Sequence, residues 1–596
     1  MTQLVLRVGF SGHRKIDGAV AQSLADAVRS ILVEAGRHAA EVAGKYAEVF
    51  DARPRIELVT GLAAGADLAA AEAATSIEDD AFEVALVAVS PFDWAEFLRD
   101  FQDDAGNRAR SEELWARAAS RIELLPELQR ASKPADGMYE DGASGYEALG
   151  RFVVTAADLV IAYYEESRGG HGPGGTGWVL ERAKGQGVPR VVLSEDGRGL
   201  TYRIEDDADA EDVPQVVQNA VTPPRSYSET RDSARPGLRA ATHFVDDYLR
   251  IDAERTGLSK NYARLFDRSM GWLGDHAAQL RKRFARGHLH ELEVPTGTAP
   301  TKPLVPNENL STAYRTADAG ARYYNGLHRT TFALIYLLGF LAVLLAVVGH
   351  LRDGSMLVAM LEIVVLAAML ALHQLATRRH WREKGTDFRL LAEILRMSRP
   401  LWHLRARMRF SEERAQGSDG AVQRTWMVWY AASVVRSAGT ATMRFDAAYL
   451  DRARDHLRAE LVDDQLGFFA SRVRRFGALE AAIEKTVYVL FALAVLGCVS
   501  HLMHLAAIEP IALVLTAALP ALAAALHGIA GHAELARLET RYEAMHEHLL
   551  QQRAALVAME RPTREDLVEL TQELGSRMVD EAAEWRWLHA VHDPKL

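Results

Sequence analysis

The chain has 596 residues, a formal net charge of -11 and 25% charged residues, a composition typical of globular proteins that excludes wholesale disorder. The net negative charge argues against nucleic acid as the main partner. A single cysteine excludes an intrachain disulfide, a cysteine-based zinc site and a thiol redox pair, and it suits a reducing cytosol.

Residues 1–200 alternate short apolar runs with helical patterns, which predicts a doubly wound α/β domain with a parallel sheet. The predicted strands are rich in Val, Ile and Leu and lie at residues 4–10, 56–60, 84–89, 159–163 and 190–193. The polar stretch at 100–140 predicts an insertion with one helix at about 112–124. Residues 202–218 and 223–236 together predict a boundary loop.

Residues 201–306 predict a charged helical connector that ends in a Pro-rich linker at 295–306. Beyond this linker lie four apolar segments, each about 20 residues long, which is the length that a helix needs to cross a bilayer. The only formally charged residue in them is Glu362, and they span residues 330–348, 356–377, 487–505 and 511–529. They predict an α-helical second half with four transmembrane helices in two hairpin modules, residues 307–400 and 401–596.

Arginine and lysine flank the outer ends of both hairpins, whereas the two hairpin loops hold only Arg352. Because positive charge marks the cytoplasmic side of a membrane protein, both flanking segments and the N-terminal domain are predicted to be cytoplasmic. The first residues do not resemble a signal peptide, in agreement with this orientation. A charged segment with helical spacing follows each hairpin, so the second half is an internal repeat whose membrane helices are predicted to continue into the cytosol.

Three glycine-containing turns follow predicted strands of the N-terminal domain. VGFSGHRK contains Gly9, Ser11, Gly12, His13 and Arg14. TGLAAGAD contains Gly61, Leu62, Gly65 and Asp67, and GPGGTGWVLERA contains Pro173, Gly174, Gly175, Thr176, Gly177 and Glu181. The turns that follow parallel strands lie at the carboxyl edge of the sheet, where open α/β sheets bind their ligands.

Glycine lets the backbone approach a phosphate, and free N–H groups at a helix N-terminus hold the anion. His13 and Arg14 add positive charge, so the three turns together predict a site for a phosphate-bearing ligand. Taken singly, each turn also fits a tight turn without a ligand, Asp67 fits an acid that complements a helix dipole, and Glu181 fits a solvated helix residue. None is a Walker motif or a complete GxGxxG, which weighs against an ATPase and an ordinary dehydrogenase.

In this order, S-G-H-R, G-L-A-x-G-A-D and P-G-G-T-G resemble the SLOG superfamily, a group of Rossmann-like domains related to the LOG phosphoribohydrolases and the DNA-processing protein DprA. This resemblance covers about residues 1–200. The paired hairpins, the run DFRLLAEILR and the run LVDDQLGFF at 461–469 resemble the two-transmembrane effector modules called SMODS- and SLOG-associating.

The resemblance implies a sensor and effector of bacterial antiviral defence in the inner membrane. Such a protein would bind a nucleotide or an NAD-derived signal, require no cofactor or metal, and perturb the lipid bilayer as a homo-oligomer. LOG enzymes carry P-G-G-x-G-T-x-x-E, whose acid helps to cleave an N-glycosidic bond. Here Glu181 keeps that register, but Trp178 replaces the threonine and the arginine-bearing helix motif of LOG enzymes is not recognisable at 145–151.

Binding without turnover is therefore expected. One alternative is a membrane-tethered LOG-like phosphoribohydrolase or NAD nucleosidase that uses Glu181, and another is a ligand-gated channel or transporter.

Ionisable groups inside membrane spans are functional candidates, and here Glu362, His501 and His527 are candidate pore or gating residues. The alternatives are that Glu362, which lies near a hairpin loop, contacts lipid headgroups, and that the histidines are neutral and only pack against their neighbours. His373 and His504 lie near span ends, and small residues at 518–531 favour close helix packing.

Overall fold

The computed structural model describes residues 2–47, 49–51, 53–125, 140–196, 199–205, 210–222, 257–284, 304–352, 355–408, 425–503 and 509–591. Three predicted features lie wholly or largely outside these residues. They are the boundary loop at 223–236, most of the Pro-rich linker at 295–306, and His504.

One sheet of eight strands forms the N-terminal domain. The strands are β1 (Val5–Gly12), β2 (Arg55–Thr60), β3 (Glu83–Phe92), β4 (Ser120–Leu125), β5 (Leu159–Tyr163), β6 (Arg190–Asp196), β7 (Gly199–Glu205) and β8 (Met443–Arg444). Their order is β7-β6-β5-β1-β2-β3-β4-β8, and among the described strands only β7 is antiparallel to its neighbour. The chain runs outward from β1 to β4 and then returns to β5 on the other side of β1, which confirms the predicted doubly wound, Rossmann-like α/β fold.

Helices cover both faces of this sheet. They are α1 (Gly18–Lys45), α2 (Ala66–Thr75), α3 (Trp94–Phe97), α4 (Ala105–Arg117), α5 (Glu140–Ala156), α6 (Thr176–Lys184) and α7 (Val213–Val221). Leu6 and Phe10 of β1 belong to the same apolar core as α1, α2 and α7. Val87 and Val89 of β3 pack with Phe152 of α5 on the opposite face. Strand side chains alternate between two apolar layers, as expected for a sheet that is covered on both sides.

Two sequence predictions in this domain are wrong. The helix expected at 112–124 ends at Arg117, and β4 follows it with Ile122 buried and Arg121 exposed. This alternation is the pattern of a strand, but the polar composition around it concealed the signal. The boundary loop expected at 202–218 instead contains most of β7 and α7, and Val213 and Val217 of α7 are fully buried.

The second half is helical. Its elements are α8 (Gly257–Phe284), α9 (Glu308–Leu351), α10 (Met356–Arg378), α11 (Trp381–His403), α12 (Trp426–Ser437), α13 (Ala447–His456), a π-helix (Leu457–Asp463), α14 (Asp464–Leu502), α15 (Glu509–His532), α16 (Leu535–Ala558) and α17 (Arg564–Val591). Four stretches are long and apolar enough to cross a membrane; they contain the predicted spans 330–348, 356–377 and 511–529 and, of the span predicted at 487–505, the part up to Leu502. Only 11–22% of their most apolar windows is buried. Large apolar side chains such as Ile363 and Leu496 are therefore exposed, as expected where lipid contacts the helix.

The two hairpin modules share one architecture, as the internal repeat predicts. In each, a long helix (α9 or α14) is followed by a second apolar helix (α10 or α15) and then by a charged helix that packs along the first one (α11 or α16). Two residues separate the second helix from the third in each module, and the second of them is a non-glycine residue in the left-handed conformation, His380 with φ 51° and Glu534 with φ 50°. The membrane helices thus continue into the charged segments as predicted, but with a kink that costs on the order of 1 kcal/mol at each site.

The helical half also completes the sheet domain. Residues 443–444 form β8 against the outer edge of β4, with Ile122 opposite Met443 and Glu123 opposite Arg444. On one face of the domain, the Trp429 indole lies edge-on to Phe50 with ring centres 5.7 Å apart, and its Nε1 donates to the Val221 carbonyl at 2.9 Å. Sequence patterning did not reveal either contact, because both join residues more than 200 positions apart.

A buried ionic network lies at the amino edge of the sheet between the two halves. Asp158, just before β5, lies 2.5 Å from Arg407 and 3.1 Å from Arg436, and it accepts the backbone N–H of Arg7 at 2.9 Å. The Arg7 guanidinium in turn donates to Glu57 at 2.7 Å and to the Arg436 carbonyl at 3.1 Å. Burial opposes ionisation of Asp158, but Arg407 and Arg436 outweigh it and hold the pKa of Asp158 well below its usual value.

The substitution Asp158→Asn keeps the shape of this side chain but leaves two arginines without their shared counter-charge. We expect it to destabilise the full-length protein by about 3–5 kcal/mol, because breaking one partner of a buried ion pair leaves an uncompensated charge. Thermal unfolding of the detergent-solubilised protein measures the change. The matched control is Asp26→Asn, which removes an exposed ion pair with Arg29 and is expected to cost no more than about 1 kcal/mol.

The depressed pKa also fixes the pH range in which this network acts. Its contribution to the free energy of unfolding is fully present above about pH 5 and is lost progressively as the pH falls below that value. The reason is that Asp158 then takes up a proton in the unfolded chain but stays ionised in the folded chain. An equal loss of stability in acid for the wild type and for Asp158→Asn would contradict this assignment.

Candidate functional site

A cavity of about 220 Å³ opens at the carboxyl edge of the sheet, where the strand order reverses between β1 and β5. This reversal is the position at which doubly wound sheets bind their ligands. Residues from all three predicted glycine turns line it, together with residues of α5. The lining consists of Phe10, Ser11, Gly12, His13, Arg14, Gly61, Ala63, Asp67, Tyr146, Leu149, Gly150, Val153, Gly170, Gly174, Gly175, Thr176 and Val179.

The first and second turns are bound directly to each other. Asp67 Oδ1 accepts the backbone N–H of Gly12 at 3.1 Å, and the N–H of Ala66 donates to the His13 carbonyl at 3.1 Å. Gly65 has φ +88°, and a Cβ there would lie 2.2 Å from the Arg14 carbonyl oxygen. Glycine is therefore required at this position both by its backbone conformation and by the close approach of the two turns.

The third turn places the N-terminus of α6 at the cavity. Gly174 has φ +80°, and a Cβ on it would lie 2.6 Å from the Tyr146 backbone, so the turn packs tightly against α5. No described residue accepts a hydrogen bond from the N–H groups of Thr176 and Gly177, which begin α6. Free N–H groups at a helix start attract anions, and Thr176 also lies 3.4 Å from the Ser11 hydroxyl.

His13 joins the first turn to the loop after β5. Its Nε2 accepts the backbone N–H of Glu165 at 2.9 Å, and its ring stacks on Tyr164 with centres 5.6 Å apart. Burial lowers the pKa of His13. An Nε2 that accepts a hydrogen bond carries no proton, so His13 acts here as a neutral brace between two loops and not as a source of positive charge.

Arg14 supplies the positive charge at the mouth of the cavity. Its guanidinium carbon lies 4.4 Å from the centre of the Tyr146 ring, and its Nη1 lies 3.5 Å from Asp100. The Tyr146 hydroxyl also donates to Asp100. Burial opposes the charge of Arg14, but Tyr146 and Asp100 outweigh that effect and raise its pKa. The side chain is thus held in place as a permanent cation.

Asp67 is the one carboxylic acid among the described residues that line this cavity. Burial raises its pKa to about 7, although the N–H groups of Ala63 and Gly12 and the charge of Arg14 oppose the shift. The carboxyl group therefore changes charge near neutral pH. It can accept or release a proton in the cavity, and its ionised form disfavours a nearby anion.

The predicted site residues divide into two groups. Ser11, Gly12, His13, Arg14, Gly61, Asp67, Gly174, Gly175 and Thr176 are brought together around the cavity. The remaining predicted residues, which are Gly9, Leu62, Gly65, Gly177 and Glu181, are not among its described lining residues. Gly9 instead allows close packing, since a Cβ on it would lie 2.8 Å from Val153. Glu181 is exposed on α6, and its role as the acid of the alternative hydrolase stays a prediction.

Sequence reasoning missed the contribution of α5. Tyr146, Leu149, Gly150 and Val153 recur at intervals of three and four, which places them on one face of this helix, and that face forms a wall of the cavity. The spacing is visible in the sequence, but it does not distinguish a ligand-facing helix from one that packs only on its own sheet.

The candidate membrane residues lie on three different helices. Glu362 is half-buried on α10, whereas His501 on α14 and His527 on α15 are exposed on the outer surface of the chain. Their roles in a pore or gate stay predictions.

No protein-family model matches the chain, and no curated protein is significantly similar to it. The function therefore has to be argued from the site and its surroundings.

The pH response of Asp67 gives a direct test of this site. We expect sulfate, whose charge is constant near neutrality, to bind the full-length protein more tightly at about pH 6 than at about pH 8, because the carboxylate that forms above its pKa repels the anion. Isothermal titration calorimetry measures the affinity. In Asp67→Asn the affinity is expected to become independent of pH, and a pH dependence that persists in this variant would contradict the assignment.

Proposed function

We propose that the protein is a membrane-anchored sensor and effector. In this proposal, a nucleotide or an NAD-derived signal binds at the carboxyl edge of the sheet and changes the arrangement of the four membrane helices, which then perturb or permeabilise the bilayer. The setting that the family resemblance implies is bacterial antiviral defence at the inner membrane, with the sheet domain in the cytoplasm and the protein acting as a homo-oligomer.

The ligand class is supported by the chemistry of the cavity. Free N–H groups at the start of α6 and the fixed cation of Arg14 suit a phosphate group. Tyr146 and Leu149 offer apolar surface beside them, as small-molecule sites require for orientation and affinity. A volume of about 220 Å³ is small, and it suits a mononucleotide or one phosphoribosyl part of a larger ligand.

The observation that carries the proposal is the position of α5. One face of this helix lines the cavity through Tyr146, Leu149 and Val153. Another part of it packs into the helical half, where Phe152 shares an apolar cluster with Leu404 and Leu567. The Arg564 guanidinium, at the start of α17, lies 5.0 Å from the centre of the Phe152 ring. A ligand that moves α5 therefore moves the contact surface of the membrane-anchored half.

A ligand shifts a conformational equilibrium only when it binds the two states with different affinity. Walls that come from separate elements allow such a difference, because the elements can move relative to one another. Gly174 and Gly175 belong to the third turn, Arg14 to the first, and Tyr146 to α5. A phosphate held between Arg14 and α6 would draw these elements together and favour one position of α5.

Reconstitution of the full-length protein into dye-loaded liposomes tests the proposal, with AMP, NAD and ADP-ribose as probes. We expect at least one probe to raise the thermal midpoint of the protein and to alter dye release. Arg14→Gln is expected to weaken binding about tenfold or more, because a hydrogen bond to a charged group contributes about 1.5–3 kcal/mol. Lys15→Gln is the matched control, since Lys15 is the adjacent, exposed cation and does not line the cavity.

A second variant separates binding from output. Phe152→Leu leaves the described lining of the cavity intact but alters the packing of α5 on the helical half. It is expected to bind the probe with wild-type affinity and to lose most of the change in dye release. Dye release that responds to none of the probes, or that responds equally in Arg14→Gln, would overturn the proposal.

A LOG-like hydrolase remains the second candidate because Asp67 has a pKa near neutrality inside the cavity, as a general acid or base requires. If the protein cleaves an N-glycosidic bond, Asp67→Asn will abolish release of the base from AMP or NAD, whereas Glu181→Gln will not. Chromatography of the released base measures this activity, and unchanged release in Asp67→Asn would exclude this role.

A further inference from the structure

A second, larger cavity of about 1170 Å³ lies between the two hairpin modules. Its walls come from α8, α9, α11, α14, α16 and α17, with His532 at the end of α15, and most of the lining residues of α9 and α14 precede the apolar segments of these helices. It is therefore close to the membrane on the side that carries the sheet domain. The function proposed above makes no use of it.

Basic side chains outnumber acidic ones around this cavity. The basic residues are Lys260, Arg264, Arg315, Arg322, Arg329, Arg382, Arg389, Arg396 and Arg472, and the acidic ones are Asp267, Asp318, Glu393, Asp463, Asp464 and Glu581. Burial raises the pKa of Glu581, which reduces its negative charge. The cavity thus has a net positive charge in a partly enclosed space, where water screens charge poorly.

Several of the carboxylates already have an arginine partner. Asp318 pairs with Arg322 at 2.6 Å, and Asp267 pairs with Arg329 at 3.4 Å. Glu393 is shared by two arginines of α11, Arg389 at 2.9 Å and Arg396 at 2.5 Å. These pairs leave part of the positive charge around the cavity uncompensated.

Arg472 makes no ion pair with a described carboxylate, and Asp267, whose charge acts on it from a longer distance, is already paired with Arg329. Its guanidinium carbon lies 5.2 Å from the ring centre of Phe468 and 5.6 Å from that of Phe476, so two aromatic faces hold it in place. Arg264 on α8 also lines the cavity and makes no ion pair with a described carboxylate. Guanidinium groups that line a cavity without a carboxylate partner suit the oxygens of a phosphate group.

We infer that this cavity is a separate binding site for a phosphate-bearing anion, supplied either by the headgroup of an anionic lipid or by a soluble polyphosphate. Basic pockets between membrane helices beside an anionic leaflet bind lipid headgroups, and the volume of this cavity accommodates more than one phosphate. Because the two modules both contribute walls, the bound anion bridges them and stabilises one arrangement of the four apolar helices. The inference does not depend on a ligand at the sheet edge.

The test uses the full-length protein and two probes, sodium tripolyphosphate in detergent and vesicles of phosphatidylcholine with or without phosphatidylglycerol. We expect saturable binding of tripolyphosphate, measured by calorimetry, or retention of phosphatidylglycerol, measured by native mass spectrometry. Arg472→Gln is expected to weaken the effective probe about tenfold, as the loss of a charged hydrogen bond implies. Arg472→Lys keeps the charge and is expected to restore part of the binding.

Arg474→Gln is the matched control because Arg474 lies on the same helix two residues away, is exposed and does not line the cavity. Arg14→Gln controls for binding at the sheet edge and is expected to leave this site unchanged.

If Arg472→Gln fails to fold, Arg264→Gln replaces it. Absence of saturable binding by both probes, or equal weakening in the Arg474→Gln and Arg472→Gln variants, overturns the inference. Loss of binding only in the cavity variants supports it, and the probe that binds identifies the source of the phosphate.

Discussion

The Asp158 carboxylate and the two arginines that contact it join the sheet domain to the helical half. Asp158 precedes β5, whereas Arg407 and Arg436 follow α11 and end α12 respectively. Such an arrangement tolerates little displacement, because moving the halves apart would separate Asp158 from the two arginines that compensate its charge. The sheet domain is therefore a built-in part of the membrane-anchored unit and not a module on a flexible tether.

This rigid junction gives α5 its importance. The amino edge of the sheet is held by the ionic network, and the carboxyl edge carries the cavity, so the strands between them are a fixed frame. The helix α5 packs on that frame through Gly9 and on the helical half through Phe152. Strand β1 also lines the cavity and contacts the helical half through Arg7, but it belongs to the fixed frame, whereas α5 packs on that frame and can shift against it. Displacement of α5 is the simplest physical route from the cavity to the helical half.

The sequence predicted features that depend on local periodicity and missed those that depend on distant partners. The parallel strands, the four apolar helices and the convergence of three glycine turns follow from patterns within about twenty residues. The strand β8 has two residues, so it carries no pattern of its own. Glu181 kept the register of a known motif, yet its exposed position depends on how α6 leaves its turn. Asp67 was predicted at the ligand site, but its burial and its hydrogen bond from Gly12, 55 positions earlier, have no local signal in the sequence.

The long separation between Asp158 and its partners has a consequence for synthesis of the chain. Arg436 and β8 follow Asp158 by nearly 280 residues, and the first hairpin lies between them. At the usual speed of translation, on the order of tens of seconds pass before the ribosome delivers them. During this interval, the edge strand β4 of the emerging sheet domain has no partner on its outer side. The Asp158 carboxylate, which is buried in the complete protein, also lacks its arginine partners. Completion of the sheet domain therefore waits for the first hairpin to emerge, which ties maturation of this domain to the delivery of the chain to the membrane.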